Sequence, residues 1–361
     1  MILPERSRAQ VVRERGPSTE RARSTERYAE SRHRAGMTQR RPPPLALPDR
    51  AFARPLTLTA ARRLGVSRRE LAGPLWQPLA TGVVGWFGLD PHDPMTRIRA
   101  LALRLPAGTV LGGWAALHVH GVTELDGIAG PAGRRLVPVL VHTGRRSRVR
   151  PGPGIVVDRS ALAGGDVVEV DGLLVTSAAR ACFDIMRRDG VEEGIVAGDA
   201  ACRALGVRPA ELVAFVDARP GTPGVPLARV AASLVEPGSA SGPESRLRYV
   251  WVVEAGLSRP LVNPVLVDDW GRMLGVPDLL DDEAGFVGEY DGSHHRALRQ
   301  HTADNAREET FEQANLIVVR ATAIDLWPGR AGLVRRLREG HHRGLGRDRG
   351  RDRWGLRRHG S

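Results

Sequence analysis

The chain has 361 residues, too many for one small domain and enough for two or three, each with a core of its own. With 42% hydrophobic and 26% charged residues it is globular, which excludes a wholly disordered protein. All 53 basic residues are arginine, so Schiff-base and P-loop chemistries that need a lysine amine are excluded as well. The net charge of +12 is concentrated at the ends: residues 1–50 hold 12 arginines against 6 acids, and residues 330–361 hold 11 against 3. Such ends either hold a polyanion non-specifically or are simply solvated. Cys182 and Cys202 are the only cysteines, too few for a disulfide framework or a four-cysteine zinc site, and they fit a reducing cytoplasm. No apolar leader and no run of about 18 apolar residues occurs, so neither secretion nor a membrane span is expected.

In chain order, residues 1–52 read as a disordered Arg-rich tail, and Met37 is a candidate start that would leave 1–36 as an over-called extension. Residues 53–90 read as a winged helix-turn-helix: a short helix from Leu56 to Leu64, a break at Gly65, a second helix opened by the capping box Ser67-Arg-Arg-Glu70, and a hairpin over Gly82–Trp86. Residues 91–218 read as an α/β region, with interrupted helix over 95–120, strands at 136–142 and 154–158, and helices at 177–188, 191–204 and 208–217. His118 and His120 are expected to be packed and Glu192-Glu193 to form a solvated face, and no catalytic constellation stands out in this region. The Pro/Gly-rich run 219–240 reads as a linker, and 329–361 as a basic tail.

Between them, residues 241–328 follow the order αβββαβ, with a helix from Glu244, strands at 261–267, 273–281 and 285–290, a helix from about 297 to 314 and a strand at 316–320. Glu289 and Asp291, two apart on a strand, project from one face. A hairpin symmetric about Glu283/Ala284 sets Asp278 opposite Glu289, about 5 Å away between Cβ atoms, where like charges repel unless a cation sits between them or one is protonated. A hard, oxygen-loving ion such as Mg²⁺ is the natural solution. Asp268, Asp269, Asp281 and Asp282 read, by contrast, as solvated turn acids.

The run Pro277-Asp278…Glu289-Tyr290-Asp291-Gly292-Ser-His-His295, with Glu244-Ser-Arg-Leu-Arg248 before it and Asp304-Asn-Ala-Arg307 after it, resembles the DUF559-type nuclease domain over residues 238–328. That domain is grouped with the very-short-patch-repair endonucleases in the restriction-endonuclease-like, PD-(D/E)xK clan. The resemblance implies Mg²⁺- or Mn²⁺-dependent hydrolysis of DNA phosphodiesters, with Asp278, Glu289 and Asp291 as metal ligands and Glu244 and His295 as further catalytic groups. The clan's lysine falls at position 291, an aspartate here. The compensating positive charge would come from a second metal on Asp291, from His295 or from Arg307. Glu244 is equally suited to complete a capping box with Ser241, and Asp304 and Arg307 to form a surface pair; a His-metal site at His294/His295 lacks a second ligand at a convincing spacing.

Leu56–Trp86, Leu111-Gly-Gly-Trp-Ala-Ala-Leu-His118 and Val170–Asp184 resemble the AbiEi-type antitoxin of type IV toxin–antitoxin systems, although Val84 and Trp86 stand where the wing usually reads Gly-Val-Tyr. This implies a DNA-reading winged helix with Arg62, Arg63, Arg68 and Arg69 on phosphates. The expected protein is therefore a mixed α/β, cytoplasmic, metal-dependent DNA endonuclease with no membrane or small-molecule partner and with a homodimer left open. The alternative is an antitoxin-like regulator whose nuclease-like domain does not cut.

Overall fold

The computed structural model describes residues 50–130, 135–292, 310–327 and 329–357. They form a mixed α/β structure. After a single helical turn, Arg50–Ala53 (α1), strand Leu56–Thr57 (β1) runs into helix Leu58–Arg63 (α2), where the Thr57 hydroxyl accepts from the Ala60 amide at 3.0 Å. Helix Arg68–Leu71 (α3) carries the capping box read from its sequence: the Glu70 amide donates to Ser67 Oγ at 3.2 Å and the Ser67 amide to Glu70 Oε2 at 2.7 Å. Strands Trp76–Ala80 (β2) and Val83–Trp86 (β3) make a hairpin that β1 extends, in the order β1-β3-β2.

Helix Pro94–Ala102 (α4) leads to strand Val110–Gly112 (β4) and helix Gly113–Val119 (α5). The ribbon Ile128–Ala129 (β5) and Arg135–Leu136 (β6) precedes Val139–His142 (β7) and Ile155–Asp158 (β8); Val167–Val170 (β9) turns at Asp171-Gly172 into Leu173–Thr176 (β10). The resulting mixed sheet has the order β8-β7-β4-β10-β9, with β7 parallel to β8 and β4 parallel to β10. Helices Ala178–Arg188 (α6), Val191–Leu205 (α7), Pro209–Asp217 (α8) and Val225–Ser233 (α9) share one apolar core with Leu111, Val141 and Val175 of that sheet. His118 and His120 are packed, each ring bonded to a backbone carbonyl, of Leu125 and Thr176 respectively. Helix α9 corrects the expected linker. Pro226 occupies its first turn, where a missing amide costs nothing, so residues that punctuate like a linker instead start a helix with Ala228, Ala231 and Ala232 in the core.

Beneath that core lies a buried ionic network. Asp184, without solvent exposure, accepts from Arg180 Nε at 3.1 Å, from Arg187 Nε at 2.9 Å and from His142 Nε2 at 2.7 Å; Arg180 also reaches Asp166 at 3.1 Å, and Arg187 pairs with Asp158. Burial alone would raise the Asp158 carboxyl, but hydrogen bonds from Ser160 and Arg187 hold it well below the ordinary carboxylate range. Asp184 is likewise held low against its burial by His142, Arg180 and Arg187.

Helix Gly242–Tyr249 (α10) joins this region to the last one. Arg248 and Asp199, both buried, pair at 2.5 Å; the second Asp199 oxygen accepts the Glu236 amide at 2.7 Å, and Arg248 also donates to the Leu234 carbonyl. Glu192 and Glu193 are not a solvated face. Both bind Arg246, at 2.8 and 2.9 Å, and Glu192 also binds Arg330 at 2.7 Å, because α10 packs where solvent was expected.

Beyond a π-helical turn at Val250–Glu254, strands Leu261–Val262 (β11), Leu266–Val267 (β12), Met273–Gly275 (β13), Leu279–Asp281 (β14), Phe286–Asp291 (β15) and Ile317–Thr322 (β16) follow. The main sheet has the order β11-β14-β15-β16, with β15 and β16 parallel. The segment from 329 onward is not a tail. Ala331–Leu345 forms helix α11, whose Leu333 and Leu337 are buried and whose Gly340 and Gly344 let it lie directly on Phe286 and the Ala284 carbonyl. These four positions follow helical spacing, a stripe hidden in the sequence by the arginines between them. Strand Gly355–Leu356 (β17) then completes a second small sheet, β13-β12-β17. Among the described residues, no helix is long and apolar enough to cross a membrane.

Two outcomes are expected. Asp199→Ala leaves Arg248 buried without its counter-ion and should cost about 3–5 kcal/mol in denaturant unfolding, whereas Asp199→Leu combined with Arg248→Met should recover most of that loss. Asp158 and Asp184 have folded-state pKa values below their unfolded ones, so their contribution is present above roughly pH 4 and is lost as pH falls through and below that value. Acid titration of stability should therefore be shallower for Asp158→Asn than for the parent chain.

Candidate active site

The site is built on the β14–β15 hairpin. Leu279 pairs with Gly288, Leu280 with Val287 and Asp281 with Phe286, the register that symmetry about Glu283/Ala284 requires. Asp278 lies one residue before the paired strand, and its carboxylate reaches the backbone of β15 at the Tyr290 amide. The strands alternate: Leu279 and Phe286 enter the core under α11, while Leu280 and Val287 enter a second core with Leu266 and Phe311. Both faces are thus covered near the hairpin turn; further along β15, Glu289 stays buried and Asp291 is half-buried. Asp281 is no solvated turn acid: it is buried, accepts the Ala284 amide at 2.9 Å and meets His341 at 3.2 Å.

Asp278 is fixed by the backbone around it. Its Oδ2 accepts the Tyr290 amide at 2.7 Å, and its carbonyl accepts the Asn263 amide at 3.0 Å. Asn263, in the left-handed region at φ 48°, turns its side chain to Glu244 Oε2 at 3.2 Å and to the Gly238 carbonyl at 2.8 Å. Glu244 in turn accepts from Ser241 Oγ at 2.8 Å and from the Ala240 amide at 2.7 Å. It is therefore a helix-capping residue and, through Asn263, is tied to the strand that carries Asp278. Asn263 escaped the sequence reading; its signal is the Asn263-Pro264 dipeptide, a turn former beside two strand-like runs.

Glu289 is 7% exposed, and its register partner on the parallel strand is Arg320, whose Nε lies 4.0 Å from Glu289 Oε2. Asp291, half-buried, lies two residues along the same face and pairs in register with Thr322. Burial first, and then the Asp291 charge, push the Tyr290 phenol above its ordinary range. Arg320 supplies a cation from an unforeseen direction. It also lines a groove of about 650 Å³ between β16 and α11, with Arg336, His342 and Arg343 along its wall. Of the other expected site residues, His295 and Arg307, together with His294 and Asp304, lie outside the described residues.

Among the described residues, no group of three or more acidic, histidine or cysteine side chains is gathered closely enough to hold a metal ion. Asp278 and Glu289 still fit Mg²⁺ by donor chemistry, since that ion uses one or two carboxylates and keeps its remaining places for water and phosphate oxygens. In the N-terminal region, Arg62 and Arg63 on α2 and Arg68 and Arg69 on α3 are all exposed, and none forms an ion pair among the described residues.

Gly288 sets how β15 lies, because a Cβ there would stand 3.0 Å from the buried Trp251 ring, itself stacked on Phe286 at 4.6 Å. Gly288→Ala is expected to cost about 1–3 kcal/mol, measured by denaturant unfolding; unchanged stability would mean that the ring can yield. In comparisons with family models, with curated proteins and with solved structures, nothing matches this chain.

Proposed function

We propose that the chain is a metal-dependent DNA endonuclease, with residues 241–357 as a restriction-endonuclease-like domain and residues 53–90 as a winged helix that supplies DNA affinity. The observation that carries this reading is the hairpin that brings the Asp278 carboxylate onto the Tyr290 amide, next to buried Glu289, with Arg320 beside Glu289. Mg²⁺ or Mn²⁺ held by Asp278 and Glu289 would supply Lewis-acid activation of the phosphate and of the attacking water. Asp291 orients that water from the same face, and Glu244, bound to Asn263, fixes the strand under Asp278. Arg320, permanently charged, stands where negative charge grows on the phosphate in the transition state. Exposed Arg343 lines the same groove, beside Glu339 and an Arg336 paired with Asp325, and would add one contact to a nucleic-acid backbone.

The second reading is an antitoxin-like, DNA-binding regulator with a nuclease-like domain that does not cut. It is favoured by four exposed, uncompensated arginines on α2 and α3 and by an aspartate at the clan's lysine position.

Incubation with supercoiled plasmid in Mg²⁺, Mn²⁺ or EDTA separates the two. Metal-dependent nicking is expected, abolished by Asp278→Ala or Glu289→Ala with plasmid binding retained, and reduced roughly 10²-fold by Arg320→Ala with partial rescue by Arg320→Lys. Cleavage retained in both acid variants would end the assignment, and plasmid binding without nicking in any metal would favour the regulator.

A further inference from the structure

A cavity of about 370 Å³ opens at the carboxyl ends of the parallel strands β7 and β8, far in sequence from the acidic hairpin. His142 and Thr143 line it from within, and Arg145, Arg159 and Ser160 line it toward solvent. His142 is 1% exposed and Thr143 8%, yet among the described residues neither His142 Nδ1 nor Thr143 Oγ1 has a hydrogen-bond partner. A buried polar atom left in that state costs about 1–3 kcal/mol, so the pair is a standing demand for a ligand or water.

The state of His142 follows from its neighbours. Asp184 is held ionised by Arg180 and Arg187, and a carboxylate only accepts, so His142 Nε2 carries the hydrogen that spans the 2.7 Å to Asp184. The network sets four arginines, at 180, 187, 188 and 219, against three aspartates, at 158, 166 and 184. Nδ1 is then the ring nitrogen left for a ligand. At the mouth the chemistry is opposite. Arg145 and Arg159 are exposed, Arg146, Arg148 and Arg150 follow in the same loop, and Arg159 fastens that loop through the Val149 carbonyl at 2.8 Å. None of these five arginines forms an ion pair among the described residues.

We propose that this cavity binds a phosphate ester of nucleotide size, its anionic group on Arg145 and Arg159 and a neighbouring polar atom of the same ligand on His142 Nδ1, with Thr143 completing the inner contacts. The volume falls within the range of small-molecule sites, against the expectation that the protein has no such ligand. The proposal does not rest on the nuclease reading. Its ligand chemistry has two sources, a free nucleotide or the phosphorylated end of a nucleic-acid strand.

The test is calorimetric titration of the full chain, in EDTA so that metal-dependent chemistry is silent, with AMP and with a short oligonucleotide that does or does not carry a 5′-phosphate. Saturable AMP binding identifies the free nucleotide. Preference for the phosphorylated over the unphosphorylated oligonucleotide, without AMP binding, identifies the strand end. In either case Arg145→Ser with Arg159→Ser should weaken binding roughly tenfold or more, Thr143→Val should weaken it less, and the His142 Nδ1 nitrogen resonance should move on saturation. Thr143→Val and the resonance keep the test open should a His142 variant fail to fold. The proposal falls if neither AMP nor the phosphorylated oligonucleotide saturates by about 10 mM, if the two oligonucleotides bind alike and AMP does not, or if the arginine variants bind as the parent does.

Discussion

The contact between Arg248 and Asp199 is the constraint from which the rest of the architecture follows. It takes a helix that opens the C-terminal region and seats it inside the core of the preceding one, with both charges withdrawn from water. Burial pushes the Asp199 carboxyl above its ordinary range even with Arg248 and the Glu236 amide against it, so the pair is not a simple source of stability. What it supplies is position. Once α10 is fixed on α7, Arg246 and Arg330 meet Glu192 and Glu193, Trp251 is carried under β15, and Glu244 at the start of α10 meets Asn263 and the strand bearing Asp278.

Local patterns in the sequence were legible wherever the partners lie close along the chain. Ser67 and Glu70 announce their helix, and the symmetry of the 279–288 hairpin fixes its register, because a tight turn leaves little freedom in pairing. Non-local pairing was not legible. Arg320 reaches Glu289 only because β16 runs parallel to β15, after a crossover of some twenty-five residues whose return position no spacing rule specifies. The same limit hid the Asp158–Arg187 and Asp166–Arg180 pairs, whose members stand 29 and 14 residues apart. Composition misled at 219–240 and again after residue 329, where Pro/Gly content and arginine count outweighed the buried faces of α9 and α11.

The two charged assemblies of this protein differ in design. In the middle region, arginines and aspartates bind one another in the interior, and among the described residues His142, Thr143 and Thr176 keep buried side-chain polar atoms without a hydrogen-bond partner. On the hairpin, Glu289 and Asp291 stand two residues apart on one strand, with Arg320 on the parallel neighbour as the cation beside Glu289.

Every side-chain cation in these assemblies, histidine aside, is a guanidinium. Its charge does not titrate in any physiological range, and lysine acylation has no target among the side chains. The guanidinium charges along β16 and above β7 are therefore constant from acid to alkaline conditions, and ionic strength, through screening, is the solution variable that sets how far their field reaches.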